Sequence, residues 1–162
     1  MRQVAAALAL LALSTIGTPA VAQSLPMYEV NVRGVPMTCT AWTGQTAAVV
    51  LDTRLPDVGM ATWTARGEPV IIINPDVTNQ YSDIVAQWWF AHECAHLALA
   101  PADNSEINAD CFGVKQLVAV GLLDTEDELA AFHRELSDLP GSSNGHLPGP
   151  QRAHNITQCA LY

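Results

Sequence analysis

The stretch Ala86–Ala100, AQWWFAHECAHLALA, is an apolar run broken by one group of polar side chains, His92-Glu93-x-x-His96. Its apolar residues, among them Trp88, Trp89, Phe90, Leu97 and Leu99, fall on every side of a helix, the pattern of a helix buried all round. Three polar groups left without partners there would cost on the order of several kcal/mol. Helical spacing offers them a common partner. Residues four apart lie one above the other, so His92 and His96 can turn ring nitrogens to one ion, for which zinc, Zn2+, is the expected cofactor. Glu93 stands about 100° round from His92, beside the ion rather than on it, where a carboxylate can act as general base toward water.

Working outward, Ser82 is placed as N-cap of a helix from Asp83 to about Leu99, which Pro101 ends. A third histidine at the HExxHxxGxxH position is excluded, because positions 99 and 102 are Leu and Ala. Downstream, Glu106 and Asp110 lie one turn apart on a second helix expected from near Ser105 to Gly121. A chain reversal at Pro101–Ser105 would bring Glu106 level with His96, suited to the metal, and Asp110 deeper along the seam, suited to a hydrogen bond with a ligand histidine. The helix dipole also favours an acidic residue at position 106, but not one in mid-helix at 110.

The segments YEVNVR, AAVVLD, MATWTAR and PVIIIN are short, rich in β-branched or aromatic residues and separated by Gly and Pro, and are expected as strands, with a hairpin at Arg66-Gly67-Glu68. Thr125 and Glu128 have capping-box spacing for a third helix, and Pro150 can open a last short one. Strands first and helices after predict an α+β fold: a small antiparallel or mixed sheet packed on the His-bearing helix, followed by a helical C-terminal part. Residues 1–22, with Arg2, an apolar run from Val4 to Leu13 and Ala20-Val21-Ala22, read as a secretory signal peptide, leaving 23–162 as a single domain. Without Arg2, six basic side chains face sixteen acidic ones, a net charge of −10. That argues against nucleic acid or an anionic membrane as partner. An exported, periplasmic or secreted monomer acting on a peptide or protein substrate is expected. Export suits disulfides among Cys39, Cys94, Cys111 and Cys159, with Cys94–Cys111 and Cys39–Cys159 the expected pairing.

His92-Glu93-Cys94-Ala95-His96 with Glu106-x-x-x-Asp110 resembles the gluzincin zinc metallopeptidases, in particular their small M48-related members. EPVIIINPD matches the strand those proteins carry ahead of the active helix, and EINAD matches the helix after it. The resemblance, spanning roughly residues 59–120, implies a hydrolase with His92, His96 and Glu106 as zinc ligands, Glu93 as catalytic base and Asp110 behind a ligand. Further on, His146-Leu147-Pro148 with Arg152 is similar to their His-Pro and Arg, although here a residue intervenes. His146 or Arg152 would then polarise a scissile carbonyl or stabilise its oxyanion, while His133 and His154 are expected at the surface. The PVIII strand is expected either as the sheet edge to which an extended peptide adds or as an ordinary buried strand, which its continuous Val-Ile-Ile-Ile run suits equally well. Two other classes stay open: a non-catalytic exported domain retaining the zinc site, and a disulfide-stapled binding module without metal.

Overall fold

The computed structural model describes residues 27–142 and 145–159; the expected signal peptide lies outside them. In chain order come a hairpin of β1 (Val30–Val32) and β2 (Val35–Met37), strands β3 (Ala48–Leu51), β4 (Gly59–Trp63) and β5 (Pro69–Ile73), and helices α1 (Pro75–Thr78), α2 (Asp83–Ala98), α3 (Glu106–Ala119), α4 (Glu126–Ser137) and α5 (Gly149–Ile156). This is the α+β arrangement expected, with a mixed sheet.

Local chemistry sets the element ends. Ser82, Ser105 and Thr125 cap α2, α3 and α4 through their side-chain oxygens, and Thr125 with Glu128 forms the full capping box. Gly121, at φ 73°, takes the left-handed turn after α3. The second strand of the N-terminal hairpin, Val35–Met37, is not among the expected strands. Arg33 (φ 53°) and Gly34 (φ 86°) make a two-residue turn with both dihedrals positive, and Asn31 Oδ1 accepts the Gly34 N–H at 2.8 Å.

The three-stranded sheet has the order β3-β5-β4, with β5 parallel to β3 and antiparallel to β4, joined to β4 through Gly67. Of the two expectations for PVIII, the buried strand holds and the sheet edge does not: β5 is central, and β3 and β4 are the edges, β4 being the one that lies against Glu93 of α2. Pro69, at the first position of β5, costs the ladder little.

Helix α2 lies between two cores, which explains its lack of a polar side. Phe90, Cys94 and Leu97 pack with Val49, Ile71 and Ile73 of the sheet. Trp88 and Trp89 face the opposite way, into a core with Val114, Leu117, Phe132, Leu136 and Ile156 from α3, α4 and α5. Helix α3 runs back along α2: His96 meets Glu106, His92 meets Asp110, and the Trp88 indole lies against Gly113, where an added Cβ would be 2.8 Å from Nε1.

The disulfides join Cys39 to Cys94 and Cys111 to Cys159, not the expected pairs. Cys94 is about 200° round α2 from His92, so it faces the sheet and cannot reach α3, which packs on the histidine side. Cys111 turns instead to the chain after α5. No described helix is long and apolar enough to cross a membrane.

Candidate metal centre

Three side chains converge where α2 and α3 cross. His92 Nε2 and His96 Nε2 are 3.2 Å apart, His96 Nε2 is 3.2 Å from Glu106 Oε1, and His92 Nε2 is 3.5 Å from Glu106 Oε2. His92 is fully buried, and His96 and Glu106 are half-buried, so the cluster opens to one side.

Each histidine is oriented through its other nitrogen. Asp110 Oδ1 lies 3.0 Å from His92 Nδ1, and Asn104 Oδ1 lies 2.8 Å from His96 Nδ1. If each Nδ1 carries the proton it donates to these acceptors, both Nε2 lone pairs point at the same space beside a carboxylate. Such a set of two imidazoles and one carboxylate could hold a divalent ion. For His96, burial opposes protonation, but its hydrogen bonds with Glu106 and Asn104 outweigh it and raise the ring above the usual histidine value, so an ion has to displace a proton there; the other donors are already in ligand form. Burial, helped by the Arg152 charge, holds the His92 pKa well below the histidine range, keeping the ring a neutral donor. For Glu106, burial opposes ionisation, but its contacts with His96, His92 and Arg152 outweigh it and keep the carboxyl below its usual value. Burial pushes Asp110 up to about 6 against the pull of Arg152, which leaves it ionised at neutral pH.

Glu93 occupies the place expected of a base, beside the cluster and 1% exposed. Its Oε1 is 3.2 Å from His146 Nε2, and His146 Nδ1 is 3.1 Å from Asp57 Oδ2. Burial disfavours a charged His146, yet its pairing with Asp57 and Glu93 raises it to about 9. Asp57, paired with His146 and Ser142, drops to about 2 despite its burial. His146 is thus an imidazolium held between two carboxylates at neutral pH. It lines the same pocket as Glu93, His96 and Glu106, under Gly59, Met60 and Trp63 of the edge strand.

Arg152 does not stand where a scissile carbonyl could meet it. It is fully buried, with its guanidinium on Asp110 Oδ1, Glu106 Oε2 (3.1 Å) and, through Nε, the Leu147 carbonyl (2.8 Å). Its expected role as carbonyl polariser is corrected on that ground. His133 is half-buried rather than at the surface, with Nε2 3.0 Å from the Ala153 carbonyl, whereas His154 is exposed.

The structure adds three residues that the sequence reading passed over. Asn104 comes from the short reversal after α2, Asp57 from the loop before β4, and Gly59 from β4, where an added Cβ would lie 2.7 Å from Glu93 Cγ. None has a local pattern that marks it; each matters through a partner 8 to 89 positions away. No protein-family model, no curated protein and no solved structure matches this chain.

Proposed function

We propose that the protein is a zinc-dependent metallopeptidase of gluzincin type that works in an exported, oxidising location. The observation that carries this reading is the convergence of His92 Nε2, His96 Nε2 and Glu106 with Glu93 beside them at the floor of one pocket. A tetrahedral zinc with bonds of about 2.0–2.1 Å would set its ligand atoms about 3.3 Å apart. The two imidazole nitrogens are 3.2 Å apart, and His96 Nε2 is 3.2 Å from Glu106 Oε1.

Zinc held by His92, His96 and Glu106 would supply a Lewis acid for the scissile carbonyl and acidify an attacking water. Glu93 accepts that water's proton on its carboxylate and returns it to the leaving amine. His146, charged through its pairing with Asp57, offers a cation to the oxygen on which negative charge develops. The buried walls around Glu93 and His146 limit competing water. Strand β4 has one side paired to β5, and its residues Gly59–Ala61 and Trp63 border the pocket, so an extended peptide can add along its other side through main-chain hydrogen bonds. The two disulfides suit an oxidising compartment.

The test compares wild type with Glu93→Gln on a peptide library, with zinc measured in both. Zinc near one per chain in both proteins, with cleavage lost only in the variant, is the expected result. Cleavage that survives in the variant removes Glu93 as base. Bound zinc with no cleavage by the wild type leaves a non-catalytic zinc domain instead.

A further inference from the structure

Arg152 is a charged side chain in an expensive place. It is fully buried, and its Cζ lies 4.7 Å from the centroid of the Trp89 ring and 5.4 Å from that of Trp88. A buried guanidinium is tolerated only when its donors are matched. Here one terminal nitrogen, Nη1, sits on Asp110 Oδ1 with His92 Nδ1 3.4 Å away, and the other, Nη2, sits 3.1 Å from Glu106 Oε2. The Nε–H is tied to Leu147 O at 2.8 Å, which fixes the fork's direction. The two carboxylates so joined belong to consecutive turns of α3. One is a member of the metal cluster, and the other holds His92 Nδ1.

The occupation of Glu106 Oε2 by Arg152 leaves Oε1, 3.2 Å from His96 Nε2, as the oxygen free of any cation. A carboxylate without such a partner can swing to offer both oxygens to an ion. The fork also keeps Asp110 Oδ1 where it meets His92, so one side chain from α5 governs two of the three donors.

From this we infer that Arg152 is a positioning residue of the metal centre: it restricts Glu106 to a single-oxygen ligand and aligns His92 through Asp110, without touching substrate. This rests on the metal-centre reading above. It predicts that a lysine at 152, which keeps the charge but not the planar fork, fails to substitute. Loss of such outer partners weakens metal binding by about 10- to 100-fold.

The experiment uses Co2+ as probe and reads both its affinity and its visible d–d absorption in wild type, Arg152→Lys and the double variant Asp110→Asn/Arg152→Met. The double variant removes both buried charges together, which avoids leaving either alone and keeps a folded protein available if Arg152→Lys does not fold. The amide of an asparagine at 110 can still accept from His92. Expected are a 10- to 100-fold weaker Co2+ affinity and a loss of absorption intensity as Glu106 adds its second oxygen and raises the coordination number. Wild-type intensity in the folded variants would overturn the inference even if affinity fell, because a merely structural role weakens binding without changing coordination. A wild type that binds no Co2+ overturns the metal centre and this inference with it, and is told apart by its failure in the unmutated protein.

Discussion

Gly59 on strand β4 lies directly against Glu93 on helix α2: a Cβ at position 59 would come within 2.7 Å of Glu93 Cγ, 2.9 Å of Oε1 and 3.0 Å of Cδ. No real side chain fits there unless the glutamate moves. Strand β4 therefore sets the position of the Glu93 carboxylate as much as the helix that carries it.

Gly59→Ala is accordingly expected to displace Glu93 while leaving His92, His96 and Glu106 in place. Peptide cleavage should fall by about 100-fold, the effect of a displacement near 1 Å, with zinc content unchanged. Overpacking should lower stability by about 1–3 kcal/mol. Parallel measurement of kcat, bound zinc and urea unfolding checks this; a wild-type kcat would show that Glu93 does not need this position.

If the cluster holds a metal as proposed, removing it should destabilise the chain, because His92, His96 and Glu106 come together only when α2 and α3 are packed. At a free metal concentration about 1,000 times Kd, binding contributes about 4 kcal/mol, so chelation should lower Tm by on the order of 10 °C. His96→Ala should have a reduced Tm from the start and show no further fall on chelation. Differential scanning calorimetry with and without chelator reads both.

The Asp57–His146 pair gives the apoprotein a pH signature. The folded value of His146, about 9, lies above the ordinary one, about 6.5. Its stabilising contribution is therefore complete below about pH 6.5 and lost as pH rises through about 9. Asp57 is shifted the other way, down to about 2. Its contribution holds above about pH 4 and is lost as pH falls toward 2. Asp57→Asn should weaken the alkaline limb and move it to lower pH, which urea unfolding of metal-free protein between pH 3 and 10 (roughly) would reveal. An unchanged alkaline limb would mean that Asp57 does not hold the imidazolium.

The two disulfides should differ in function though not in stability. They close loops of similar length, with sequence separations of 55 and 48, so loss of either should cost about 4 kcal/mol in the chain-entropy account. Cys39–Cys94 ties α2 to the sheet side, whereas Cys111–Cys159 ties α3 to the chain beyond α5, the helix that carries Arg152. Replacement of Cys111 and Cys159 by Ser should therefore lower metal affinity as well as stability. Replacement of Cys39 and Cys94 should lower stability with the smaller effect on metal. Paired isothermal titrations and unfolding curves separate the two.

The helical period alone made the placement of His92, His96 and Glu93 legible, two rings one above the other with a carboxylate offset beside them, because positions one and four apart have a set angle on any α-helix. The caps at Ser82 and Thr125 and the strand-then-helix order were readable for the same reason, since each depends on near neighbours in the chain. Glu106 and Asp110 were readable one step further out, because a reversal of only a few residues leaves the next helix little choice but to run back along the first. Packing decided the rest. The Val-Ile-Ile-Ile run of β5 suits a central strand, but that β3 pairs with it in parallel and leaves β4 as the edge beside Glu93 depends on a crossover that no such run specifies. The cysteine partners followed from which side of α2 meets the sheet, and Arg152 became a brace for two carboxylates because α5 folds under α3. Those are contacts between residues some 40 to 90 positions apart, whose meeting is governed by burial of shared apolar faces rather than by spacing along the backbone.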